Sequence, residues 1–246
     1  MLLNFDTGGY RFLKGGFPYS RGVSAAPGFS IAHVRFHAPV PLAEGFERMR
    51  AHLASANRPL TALCAMELRS PAPFSFEGFK DFNKGYVAVL EQWGIVRDGL
   101  NPVARTNVAP EVSPPAEPSL YAFSYTVPGN GASGNFVVSG GGEWPDGSRD
   151  PMDVVRRNDV SADGLREKIR FVMGLMEDRM TGLGATWDTS TCMQIYTVHD
   201  IHPFVADEIV ARGRGRHGFI WHYARPPIVT IEYEMDVRGV SQELAI

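Results

Sequence analysis

Cysteine is scarce: the 246-residue chain carries two, Cys64 and Cys192, each alone in its neighbourhood. Two isolated thiols exclude a disulfide framework and a cysteine-based zinc site, and they suit a reducing cytoplasm. Long apolar runs are also missing. No stretch approaches the ~18 apolar residues of a spanning helix, and the opening MLLNFDTGGYRFLKGG has no apolar run of signal-peptide length. The expectation is a soluble, cytoplasmic protein with no membrane partner. Basic charge is not in excess either. The net charge is -3, and the densest basic run, Arg212, Arg214 and Arg216, is interrupted by glycines, so no stripe for nucleic acid is present.

Cofactor signatures are equally thin. SGGGEW (139–144) has three glycines after an apolar stretch, but no GxGxxG or GK[ST] pattern follows, which argues against a nucleotide-phosphate loop. His199 and His202 in VHDIHP, and His217 and His222 in RHGFIWH, lack a recognised zinc spacing and a third ligand at fixed distance. The sequence therefore predicts neither metal nor cofactor.

What is present is an ordinary globular composition, 44% hydrophobic and 21% charged. The length fits one large domain or two units of roughly 110 to 120 residues. The sequence predicts a strand over 29–36, a helix over 44–56 and a strand over 60–68. A second helix over 76–93 follows, with Phe79, Phe82, Tyr86, Val89, Leu90 and Trp93 at three- and four-residue steps, the mark of one buried face. A proline-rich loop leads into a strand over 119–127. PGNGAS (128–133) has turn composition and is the best internal boundary. Beyond it come a strand over 136–139, a helix over 164–183, a strand over 191–198, a helix over 203–212 and a strand over 228–237. The repeated order predicts an α+β chain of two diverged units, 1–127 and 134–246.

Several short stretches carry a family likeness. FNKGYVAVLEQWG followed by NPVARTNV, FPYSRGV near the start, FVVSGGGEW, and the closing TIEYEMDV together resemble the RidA/YjgF family of reactive imine deaminases. The resemblance implies two tandem chorismate-mutase-like units, each a mixed sheet with helices on one face. It also implies a homotrimer with six units in two stacked rings and sites between neighbouring units. The longer fused form resembles 2-aminomuconate deaminases. The chain departs from the pattern in one respect: Arg105 stands in the first half without a matching acid in SLYAFSY, while Glu232 stands in the second half, where the loop arginine is either Arg216 or Arg225.

The side chains give this likeness a chemistry. Arg105, between Pro102 and Pro110, presents a rigid guanidinium fork suited to a substrate carboxylate, or else ties down its loop. Glu232 and Glu234 alternate, so a strand would turn both to one face, where a carboxyl group beside apolar neighbours can deliver a proton and activate water. Glu232 with Arg105 is the expected catalytic pair. Tyr19, Asn107, Arg225, His222, Trp221 and Glu234 are the expected substrate-binding residues, and Asn83 and Tyr86 fall on the buried helical face. The predicted activity is metal-free hydrolytic deamination of enamine or imine carboxylates, with 2-aminomuconate-type dicarboxylates favoured by a second cation. Two alternatives stay open: a trimeric, non-catalytic binder of small carboxylates, and an enzyme acting on chorismate-like substrates.

Overall fold

In the computed structural model, which describes residues 1–129, 134–148, 150–213 and 215–246, the N-terminal strands pair with the second half of the chain. β1 (Leu2–Phe5), β2 (Tyr10–Leu13) and β3 (Gly22–Ala25) form an antiparallel meander, and β3 continues onto β8 (Phe136–Gly142). β8 pairs with β12 (Glu234–Gly239), β12 with β9 (Cys192–Tyr196), and β9 in parallel with β10 (Ile220–His222), which completes a seven-stranded sheet.

The second sheet has six strands. Its order is β11 (Ala224–Arg225), β6 (Ala104–Pro110), β5 (Leu63–Arg69), β7 (Ser119–Pro128), β4 (Phe29–Pro41) and β13 (Gln242–Ala245). β13, from the C-terminus, runs parallel to β4. Each sheet thus takes strands from both ends of the chain. This corrects the expected tandem arrangement of chorismate-mutase-like units: hydrogen bonds from β3 to β8 and from β4 to β13 interlock the two halves into a mixed two-sheet α+β fold. Most of the boundary segment, 130–133, lies outside the described residues.

Helices cover the outer faces. α1 (Leu42–Ser55) and α2 (Phe76–Gln92) send Met49, Leu53, Tyr86, Val87 and Leu90 into a core with Ile31, Val34, Leu63 and Phe123. α2 starts where Ser75 Oγ accepts the Gly78 N–H, a side-chain cap for an otherwise unpaired donor. α3 (Ala162–Leu183) is capped in the same way by Ser161 and stops at Gly184, whose φ of 74° is the left-handed conformation that glycine adopts without a Cβ clash. It buries Ile169, Val172, Met176 and Met180 against Phe136, Val138, Ile195, Met235 and Val237. No helix of the described residues is long and apolar enough to cross a membrane.

Strand alternation makes the layer between the sheets polar. On β12, Met235 and Val237 face α3, and Glu234, Asp236 and Arg238 face the other sheet. Asp236 accepts from Thr106 Oγ1 (2.7 Å), Tyr196 Oη (2.9 Å) and Gln194 Nε2 (3.0 Å). Glu67 accepts from Gln194 Nε2 (3.1 Å) and Arg238 Nη1 (3.3 Å). These bonds tie the sheets together and answer the buried polar groups that an apolar interlayer would strand.

Candidate active site

On β6, Thr106 points between the sheets and Arg105 points to the side covered by α2. The Arg105 side chain is 2% exposed, and its Nη1 donates to Asn83 Oδ1 at 2.6 Å. The guanidinium carbon lies 4.6 Å from the Tyr19 ring centre and 4.7 Å from that of Tyr86, with Phe79 and Phe82 at 5.3 and 5.8 Å. Four rings hold the cation through their faces. Nε and Nη2 of the same group are buried and make no well-aligned hydrogen bond among the described residues, the Tyr19 phenol being close enough to support the charge only through a weaker contact. A buried guanidinium with two donors short of a full hydrogen bond is a socket for an oxyanion, since leaving such donors unpaired is costly and a carboxylate accepts two parallel N–H bonds. Burial lowers the basicity of Arg105, while Tyr86, Tyr19 and Glu234 favour its charge.

Glu234 reaches this region from the seven-stranded sheet. Its carboxyl occupies the space a side chain at Gly140 would fill: a Cβ there would fall within 2.2 Å of Glu234 Oε1, so the glycine makes room for the acid. Burial pushes the Glu234 carboxyl well above the usual carboxylate range, and Asp236 adds to this; Arg179 and Arg105 pull the other way. That direction favours the protonated form, the state from which a carboxyl group gives a proton.

Tyr19, Phe74 and Trp144 pack with Phe79, Val154, Ile228 and Ile231 as an apolar wall beside the arginine. Phe74 stacks on Phe82 at 5.2 Å. Thr230, at the turn in this wall, has φ of 86°, a conformation that a β-branched residue rarely adopts and that recurs at functional sites.

The structure therefore brings together Tyr19, Arg105 and Glu234, with Asn107 two residues along the same face of β6, where its Oδ1 accepts from Ser70 Oγ at 3.0 Å. The other expected residues lie elsewhere. Glu232 precedes β12: its backbone N–H is taken by Glu143 Oε1, and its carboxylate meets His199 Nε2 at 2.7 Å. The His199 bond holds that carboxyl below the usual range, which suits an ion-paired anion rather than a proton donor. Period-two alternation does not extend back to Glu232 because the strand begins at Glu234. Arg225 forms a surface fork on Glu111 (2.6 and 3.0 Å). His222 stacks on Tyr196 and bonds Gln194 at 2.9 Å, and Trp221 Nε1 donates to Thr197 O at 3.0 Å. Arg216 lies 3.5 Å from Asp188.

Sequence reasoning placed Asn83 and Tyr86 in the core without connecting them to Arg105, and it passed over Gly140 and Arg179. Arg179 carried a readable signal. It falls on the apolar stripe of α3 with Leu165, Ile169, Val172, Met176 and Leu183, where an unpaired charge would not be buried without purpose.

Comparison with known proteins identifies the family. Residues 2–244 match the family model described as 2-aminomuconate deaminase CnbZ. A 2-amino-5-chloromuconate deaminase of Comamonas testosteroni is 48% identical over 245 residues, covering 98% of each chain. Among solved structures, a chorismatase superimposes with a TM-score of 0.50 at 11% identity, covering 89% of this chain and 77% of the other. A cyanuric acid hydrolase from A. caulinodans has a TM-score of 0.43 at 12% identity, covering 87% of this chain and 67% of the other. These matches overturn the assignment to RidA/YjgF made from short motifs: the family model and the full-length relative point elsewhere, and the shared fold is that of the chorismatase. The chain belongs to the 2-aminomuconate deaminase family CnbZ, enzymes that act on a C–N bond.

Proposed function

We propose that this deaminase hydrolyses 2-aminomuconate-type enamine dicarboxylates at Arg105, with Glu234 as the proton-transfer group. The observation that carries the reading is the buried guanidinium whose Nε and Nη2 make no well-aligned hydrogen bond among the described residues. One substrate carboxylate accepts those two bonds, which contribute about 1.5–3 kcal/mol each and fix the orientation of the adjoining C–N carbon. The ring faces of Tyr19, Phe79 and Phe82 and the wall around Phe74 suit a flat conjugated chain.

Protonated Glu234 gives its proton to the terminal carbon of the conjugated enamine, and the nitrogen lone pair closes the C=N bond to form an iminium. The resulting Glu234 carboxylate then takes a proton from a water molecule as its oxygen bonds to the iminium carbon. The carbinolamine nitrogen receives that proton from Glu234, the C–N bond breaks, and ammonia leaves as the hydroxyl proton returns to the Glu234 carboxylate and the C=O forms. One water is consumed, and the acid is restored after one cycle. A single carboxyl group that starts protonated serves as both acid and base in this sequence.

Ammonia release from freshly generated 2-aminomuconate tests this reading, with wild type, Glu234→Gln and Arg105→Ala compared with and without chelator. The reading requires release by wild type that chelator does not reduce and that both substitutions abolish. Folded wild type that releases no ammonia, or a Glu234→Gln variant at full rate, contradicts it.

A further inference from the structure

Arg179 is a second buried guanidinium beside the same acid, and its fork is filled by a carboxylate that the chain itself supplies. Its Nη1 donates to the carbonyls of Ser139 (2.8 Å) and Gly140 (3.3 Å), the residues of β8 that border Glu234. Its Nε and Nη2 grip Asp146 Oδ2 (3.3 Å) and Oδ1 (2.7 Å). The two members of this pair differ in exposure. The Arg179 side chain is 8% exposed, whereas Asp146 is 27% exposed on the turn before Gly147 and is shared with the still more exposed Arg21, whose Nε lies 3.1 Å away. Arg179 and Asp146 both act on the Tyr19 phenol, alongside Arg105 and Glu234, so the pair borders the region that the first site occupies. Two guanidinium forks thus flank Glu234: Arg105 with poorly met donors and Arg179 with a surface carboxylate in the place of a ligand.

We infer that Arg179 is the subsite for the distal carboxylate of a dicarboxylate substrate and that Asp146 is its built-in stand-in, displaced onto Arg21 when the substrate enters. The inference rests on the reading of Arg105 as the site for the first carboxylate. Asp146 keeps the buried cation paired while the site is empty, and a ligand that brings only one carboxylate leaves it in place and gains nothing from Arg179. Arg21 gives the displaced carboxylate a partner at the surface.

Calorimetric binding of two probes with the same six-carbon diene tests this, muconate with two carboxylates and sorbate with one. Wild type should bind muconate about tenfold or more tightly than sorbate, the worth of one charge-assisted bond. Asp146→Asn should widen that ratio and Arg179→Lys should narrow it, the lysine retaining charge so that the variant folds. A muconate-to-sorbate ratio that stays at the wild-type value in both variants overturns the inference while leaving the Arg105 site standing. Absence of binding of either probe to wild type, or binding of both that survives Arg105→Ala, overturns the Arg105 reading and this inference with it.

Discussion

Arg105 and Glu234 come from different sheets, Arg105 from β6 of the six-stranded sheet and Glu234 from the first residue of β12 in the seven-stranded sheet, and each shifts the other's proton affinity. Their meeting depends on the close approach of β6 and β8. The Arg105 N–H donates to Ser139 Oγ at 3.1 Å, and Ser139 Oγ in turn donates to Ser20 O at 2.6 Å, next to Tyr19. One hydroxyl links the three segments that carry the site. Ser139→Ala is expected to raise KM more than it lowers kcat, measured by steady-state ammonia release, because it loosens the frame without touching the reacting atoms.

Glu234→Gln is expected to lower kcat by about 10²–10⁴-fold, the usual contribution of a positioned acid–base group. Its effect on stability should have the opposite sign. The folded-state pKa of Glu234 lies above that of the unfolded chain, so its contribution is fully present below the ordinary glutamate range and is lost as pH rises towards the folded value. Glutamine removes that penalty. Urea unfolding should show the variant at least as stable as wild type at neutral and alkaline pH, with its relative advantage shrinking as pH falls from the raised folded value towards the ordinary glutamate range.

Arg105→Lys keeps the charge but loses the fork, and kcat/KM should fall by about tenfold or more. Asn83→Ala leaves Nη1 of Arg105 without its 2.6 Å acceptor. A rise in KM, with kcat changed less, is expected from that variant, because Asn83 orients the guanidinium and does not itself meet the substrate.

Lys168 and Glu143 form a fully buried pair at 3.0 Å, and Glu143 also accepts the backbone N–H groups of Glu232 and Tyr233. Removing the lysine strands a buried acid. Lys168→Met is expected to destabilise the fold by about 3–5 kcal/mol in urea titrations, and the double change Lys168→Met with Glu143→Gln by clearly less.

The long helices were legible because their apolar periodicity has only one physical solution. The 76–93 prediction corresponds to α2 at Phe76–Gln92, and 164–183 to α3 at Ala162–Leu183. The strand predicted over 228–237 was not, because its first half is a turn: Thr230 sits at positive φ, Glu143 captures the Glu232 N–H, and pairing begins at Glu234. That offset places Glu234, not Glu232, on the strand beside Arg105, and the proposed roles follow from it. The sheet order was also hidden, because the pairing of β3 with β8 and of β13 with β4 depends on long-range hydrogen bonds that leave no local pattern. Arg105 stood out in the sequence by its chemistry and its setting between prolines. The poorly met donors that make it a socket are a property of the packed structure alone.

The most direct test of the account compares Glu234→Gln with Glu232→Gln in ammonia release from 2-aminomuconate at neutral pH. Glu234→Gln should be nearly inactive, while Glu232→Gln, which removes only the charge paired with His199, should retain most of the wild-type rate. A collapse in Glu232→Gln with activity preserved in Glu234→Gln would contradict the assignment and return the catalytic acid to Glu232.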